Sequence, residues 1–143
     1  MARITREELQ AISGDLPWVA QLHLVVEELG EGTARIRLPA SADHSRPGGT
    51  ISGPAMMTLA DYGFYVALLG AIGPVALAVT TNLSINFLRK PPLLDLIGEA
   101  RVIKLGKRLA YGEVLLFSLG HSDDPVAHAT LTYSIPPDRP PLD

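Results

Sequence analysis

The sequence predicts an α+β fold in which one antiparallel sheet wraps around a single central helix. Three observations predict it: one long apolar helix pattern, several strand-length segments around it, and turn chemistry between them suited to hairpins. The chain has 143 residues, 47% of them hydrophobic and 19% charged. That length suits one domain able to build a core without staples, and the apolar fraction excludes intrinsic disorder. We read 1–143 as a single domain, with 1–19 as an N-terminal helical segment and 136–143 as a Pro-rich tail.

In order along the chain, a short helix can start after Thr5, where Glu7 and Glu8 favour its first turn. Residues 22–28 read as a strand and Gly30-Glu31-Gly32 as a tight turn. Residues 33–38 alternate cleanly, with Ala34, Ile36 and Leu38 opposite Arg35 and Arg37. Residues 39–51 form a long polar connection, and the apolar helix runs from Ser52 to about Leu69. After the Gly73-Pro74 turn come strands at 76–88, 95–105, 109–118 and 126–135. Lys90-Pro91-Pro92, Gly106-Lys107-Arg108 and the loop 120–125 separate them.

In the first of these four strands, strict alternation puts Val79, Thr81, Leu83, Ile85 and Phe87 on the face toward the helix. Thr80, Asn82, Ser84 and Asn86 fall on the other face. On that reading Phe87→Ala costs ~3–5 kcal/mol of stability. The helix is apolar nearly all round, more than one small sheet can cover. This predicts a homodimer at least, and a homotetramer through the outer sheet faces.

Twelve basic against fifteen acidic side chains give a net charge of −3, which argues against a nucleic-acid partner. The absence of cysteine excludes disulfides, thiolate metal sites and a cysteine nucleophile. His23, His44, His121 and His128 lack zinc-ligand spacing, so no metal is expected. Residues 62–79 carry no charge over nearly the length of a membrane span. Gly63, Gly70, Gly73 and Pro74 interrupt that run, which reads as a buried helix, a turn and the start of a strand. The N-terminus has no apolar signal region. A cytoplasmic protein without a membrane partner is expected.

Asp61 is the only charged residue between Arg46 and Arg89. A buried, unpaired carboxylate costs several kcal/mol, so Asp61 points outward at a helix edge, pairs with a neighbouring side chain, or serves as a catalytic base or nucleophile. The helix approach, Gly48-Gly49-Thr50-Ile51-Ser52-Gly53-Pro54, ends in a capping residue and an early proline. Its first backbone N–H groups are unpaired at the positive helix end, where they can cap the helix or hold a developing oxyanion. No Lys-Ser/Thr follows the glycines, so this is not a P-loop, and the Gly-x-Ser-x-Gly elbow is absent. Gly53 and Asp61 are eight residues apart, about 12 Å along a helix. One helix cannot present both to the same carbonyl carbon, whereas a second copy packed antiparallel across a dimer axis could. A Ser52–His44–Asp61 triad fails on the same count, with Ser52 and Asp61 ~13 Å apart.

Three segments resemble one family. Arg46-Pro-Gly-Gly-Thr-Ile-Ser-Gly-Pro-Ala-Met-Met-Thr-Leu-Ala-Asp61 is similar to the helix entry of hot-dog-fold acyl-CoA thioesterases of the PaaI-like (phenylacetate-degradation) type. Thr80-Thr-Asn-Leu-Ser-Ile-Asn-Phe-Leu-Arg-Lys-Pro91 resembles their central strand. Gly106-Lys107-Arg108-Leu109 and Val126-Ala-His-Ala-Thr-Leu-Thr-Tyr133 resemble their last hairpin and strand. The resemblance implies a hot-dog subunit, dimers that often pair into tetramers, and hydrolysis of a CoA thioester without metal or other cofactor. By position it implies that Asp61 is the nucleophile or the base for water. It implies that the Gly53 N–H polarises the thioester carbonyl and that Thr80 lies near the attacking water. Ser52 stands where the family usually has His, and Arg46 where it usually has Asn; those positions help hold the thioester and the nucleophile.

On the same reading Arg89, Lys90, Lys104, Lys107 and Arg108 are candidates for CoA phosphates, or form a solvated basic rim. Met56 and Met57 line an acyl pocket or pack the core, and Tyr62, Phe64 and Tyr65 share that ambiguity. Two other functions are compatible with the pattern. A hot-dog hydratase or dehydratase needs a histidine near the helix start, where Ser52 stands. An acyl-CoA-binding module without turnover would explain Ser52 and Arg46.

Overall fold

The computed structural model describes residues 1–14 and 16–137. Of the expected Pro-rich tail, 138–143 lie outside the described residues. The chain opens with α1 (Arg6–Ser13) and α2 (Pro17–Leu22), followed by β1 (Val25–Leu29) and β2 (Thr33–Leu38). A 3₁₀ turn (Ala42–His44) and a miniature hairpin, β3 (Ser45–Arg46) and β4 (Thr50–Ile51), lead into α3 (Gly53–Ile72). Then come β5 (Val79–Phe87), β6 (Leu96–Leu105), β7 (Leu109–Ser118) and β8 (Ala127–Ser134). Six strands form one sheet in the order β1-β2-β6-β7-β8-β5, with every neighbouring pair antiparallel.

The sheet curls around α3, which packs chiefly on β2, β6 and β7. Glycines allow that approach. A Cβ at Gly112 would fall on the Phe64 ring and the Arg101 carbonyl, so the Phe64 ring of α3 packs directly on the β7 backbone there. Ser52, in an extended conformation, caps α3 by accepting from the Ala55 N–H at 3.3 Å. Gly73, at φ 92°, ends the helix.

The expectation that one subunit cannot cover α3 is corrected here. Fifteen of its twenty residues are buried within the single chain. The sequence reading began a strand at 22 and did not foresee α2, and α2 supplies the missing cover. With α1 it closes over the far side of α3, where Ile4, Leu9 and Val19 join the core. Trp18 meets Tyr62 edge-on at 5.8 Å, and the Arg3 N–H donates to the Gly70 carbonyl at 2.8 Å. Thr5 and Glu8 form a reciprocal capping box at the start of α1. The Arg6 guanidinium clamps that helix to the Val26 and Glu27 carbonyls of β1 at 2.8 and 2.9 Å. By length and composition α3 could cross a membrane, yet 83% of its apolar window is buried inside this fold.

A second correction concerns β5. Its pairing with β8 shifts register between Thr80 and Asn82, a bulge at Thr81. One extra residue reverses the parity of everything before it. Leu83 and Ile85 face the helix as expected, but Val79 is 57% exposed and Thr81 is exposed, while Thr80 turns inward. Phe87 keeps the inward face but lies beyond the covered core at 50% exposure, so it is not the core residue the alternation predicted.

Candidate functional site

Asp61 lies midway along α3 and is half-buried. It is neither deeply buried nor unpaired. The Thr80 hydroxyl donates to Asp61 Oδ1 at 2.6 Å. The Tyr133 hydroxyl donates to the same oxygen at 2.7 Å and lies 3.1 Å from the Asp61 carbonyl. Oδ2 accepts from nothing among the described residues. The two hydroxyls therefore orient the carboxylate through one oxygen and leave the other to the cleft. Burial, and after it the Asp61 charge, push the Tyr133 phenol well above the ordinary tyrosine range. Tyr133 thus remains a proton donor to Asp61 throughout the working pH range.

The cleft in front of Asp61 holds about 250 Å³ and is lined by Leu16, Trp18, Tyr65, Thr80 and Tyr133 with small neighbours such as Ala76 and Ala78. The Tyr65 hydroxyl donates to the Ala76 carbonyl at 3.0 Å, and burial pushes its phenol up to about 12. None of the lining residues is cationic.

A second cleft, of about 550 Å³, surrounds the start of α3 and is lined by Gly53, Arg46, Met56, Phe87, Arg89 and Lys90, among others. The Gly53 N–H donates to no acceptor among the described residues, and the Phe87 ring lies 3.6 Å from where a Cβ on Gly53 would sit. Arg89 is ion-paired with Asp124. The two clefts share no lining residue.

Asp61, Thr80 and Tyr65 therefore come together at one place, and Gly53, Arg46, Met56, Arg89 and Lys90 at another. The remaining candidates stand apart in this chain. Ser52 spends its oxygen on the helix cap. Met57, 37% exposed, lines neither cleft. Lys107 and Arg108 are exposed on the β6–β7 hairpin and line neither cleft. The His44 loop folds inward: the residue is buried, its carbonyl accepts the Ser52 N–H at 2.9 Å, and its Nε2 has no partner among the described residues. Among the described residues, no three His, Cys, Asp or Glu side chains converge as metal ligands.

Tyr133 and Trp18 escaped the sequence reading. A signal for Tyr133 was available. Ala127, Ala129, Leu131 and Ile135 mark the buried face of the last strand, and Tyr133 shares that face with a hydroxyl needing a partner. Asp61 is the one charged group on the helix it faces.

The family model described as the Thioesterase superfamily matches residues 48–123, which include Gly53, Asp61, Thr80 and Arg89. The chain belongs to that superfamily. Its fold is the hot-dog arrangement of sheet and central helix, and membership supports thioester hydrolysis as the reaction class. A "putative thioesterase" from Silicibacter sp. TM1040 is 42% identical, with 96% of this chain and 95% of that chain covered and a TM-score of 0.84. A mutant of phenylacetic acid degradation protein PaaI from Thermus thermophilus is 28% identical over 84% of this chain and 99% of its own, with a TM-score of 0.74. Zebra fish Thioesterase Superfamily Member 2, at 20% identity, shares the fold over 92% of this chain and 95% of its own, with a TM-score of 0.78. No match was found among curated proteins.

Proposed function

We propose that this thioesterase-superfamily chain hydrolyses an acyl-CoA or aryl-CoA thioester to the free acid and CoA. The observation that carries the proposal is Asp61, held through Oδ1 by Thr80 and Tyr133 with Oδ2 free toward an aromatic-walled cleft. Oδ2 either takes a proton from a water that adds to the thioester carbonyl and passes it to the CoA thiolate as the C–S bond breaks, or attacks the carbonyl itself, expelling the thiolate and leaving an aspartyl anhydride. On the second route water hydrolyses the anhydride to the free acid and restores Asp61, its proton going to the thiolate, and neither route calls on a cofactor. The carbonyl oxygen needs a donor, and the free Gly53 N–H at the positive end of α3 suits that need.

Within one chain Gly53 and Asp61 open into separate clefts, which favours a site shared across a homodimer. Strand β5 supports this reading. It is an edge strand, and its outward residues include the exposed Val79. Its Thr80 end serves Asp61, and its Phe87 end lies against Gly53. Antiparallel pairing of two β5 edges sets the Thr80 end of one beside the Phe87 end of the other, bringing Asp61 toward the partner subunit's Gly53. Arg46, Arg89 and Lys90 then serve the CoA phosphates as the cations nearest that donor. Pairing of dimers through outer sheet faces, and a cytoplasmic location, complete the proposal.

Thiol release from a panel of aryl- and fatty-acyl-CoAs tests the reaction. Turnover on at least one is expected, and a folded protein inactive on all of them refutes it. Light scattering tests the assembly, and a monomer mass at micromolar concentration would refute the shared site.

A further inference from the structure

We propose that Trp18 sets the length of the acyl group this enzyme accepts. The inference rests on the thioesterase reading above and deepens it, because Asp61 fixes where the acyl carbonyl stands. The Asp61 cleft is small, about 250 Å³, and Leu16 and Trp18 form part of its wall. A larger cavity of about 660 Å³ lies against α1, α2 and β1, its walls combining apolar Leu9, Val19, Leu24 and Val26 and the Tyr62 ring with polar groups from Arg6, Gln10, Ser13 and His23. The two share no lining residue.

Trp18, 37% exposed, and Tyr62 form an aromatic pair in the wall between them. Trp18 faces the Asp61 cleft and Tyr62 faces the larger cavity, with ring centroids 5.8 Å apart and planes at 79°. Nothing polar anchors Trp18: its indole N–H donates to no acceptor among the described residues, and Leu16 makes no side-chain cap bond to α2. The ring is held by packing alone, so its bulk is the barrier. An aryl ring or short aliphatic chain extending from the carbonyl fits in front of Trp18. A longer chain meets the indole, beyond which the apolar side chains of the larger cavity remain out of reach.

The test is a length series of straight-chain acyl-CoAs with the wild type, Trp18→Leu and Trp18→Phe, resolving kcat from KM. For Trp18→Leu, kcat/KM for long relative to short thioesters rises about tenfold or more, the scale of one methylene admitted to an apolar pocket. The gain appears mainly in KM. Trp18→Phe keeps an aromatic ring of smaller size, shifts the limit less, and carries the test alone if the leucine variant fails to fold. An unchanged length profile, or a uniform loss at all lengths, overturns the proposal. Calorimetric binding of free carboxylic acids of the same lengths separates this question from catalysis. Wild type inactive on every thioester defeats the hydrolase reading, yet a binding limit that moves with Trp18 still upholds the gate. A binding limit that does not move overturns it.

Discussion

The two clefts along α3 are made of opposite materials. Around Asp61 stand a carboxylate, two hydroxyl donors and aromatic rings, with no cation in the wall. Around Gly53 stand Arg46, Arg89, Lys90 and a free backbone N–H, with no carboxylate in the wall. The first can supply a nucleophile or base and shelter an apolar acyl group. The second can stabilise negative charge and receive phosphates. Each holds what the other lacks, and a helix rise of ~1.5 Å per residue keeps them about 12 Å apart in one chain. The contrast teaches that helix geometry divides the two sets of groups within one chain, which is why the proposed site draws on a second subunit.

The strongest way to break the comparison is Asp61→Asn. The amide oxygen can still accept from Thr80 and Tyr133, so the melting temperature stays close to wild type. Turnover falls by ~10²–10⁴. Steady-state kinetics and a melt on the same preparation check both, and full activity with a lowered melting point would show that Asp61 is structural. At the other cleft, Gly53→Pro deletes the N–H at a position where the first turn of a helix tolerates proline. Loss of one oxyanion donor costs about 10²–10³ in kcat. Gly53→Ala keeps the donor, and its Cβ meets Phe87 at an ordinary 3.6 Å, so it loses much less. Equal loss in the two variants would argue for packing instead.

Alkaline pH sharpens the contrast from the Asp61 side alone. Tyr65 is pushed up to about 12 and Tyr133 is raised further, from the usual 10.0, chiefly by burial. Above pH 10 the unfolded chain releases phenolic protons that the folded chain retains. The stabilisation is therefore complete below pH 10 and is lost as pH rises through about 12, at up to about 1.4 kcal/mol per pH unit for each phenol. Melting curves on either side of pH 10 should show this fall, with a shallower slope in Tyr133→Phe. The smallest effect is Phe87→Ala beside Gly53. At 50% exposure it should cost about 1–2 kcal/mol by denaturant unfolding, below the value for a core phenylalanine. A larger loss would mean that a partner buries the ring.

Most of the architecture is legible from local pattern. The alternation at 33–38 matches β2 residue for residue, and the helix expected from Ser52 to about Leu69 is α3, which runs through Gly70 and ends three residues later at Ile72. The capping of α1 by Thr5 follows from residue types alone. Pattern failed where a residue's fate depends on something far away in sequence. Nothing in Val79-Thr80-Thr81-Asn82 announces a bulge, because the extra residue is defined only against β8. The cover of α3 was misassigned to a second subunit because α2 is a short helix whose value lies wholly in what Trp18 and Val19 touch.

For the candidate site the division is similar. The sequence by itself singled out Asp61 as the lone charge in an apolar helix and Gly53 as an unpaired helix start, and helix geometry alone kept them apart. The tertiary structure decided how Asp61 is held. The bulge turns Thr80 inward, and β8 brings Tyr133 across from 72 residues away. It also decided that Ser52 is a cap, and that Trp18 lines the Asp61 cleft and meets Tyr62. Backbone propensity and hydrophobic period act between near neighbours and so can be read in one dimension. Hydrogen-bond partners and cavity walls form between elements, and only the packed chain brings those together.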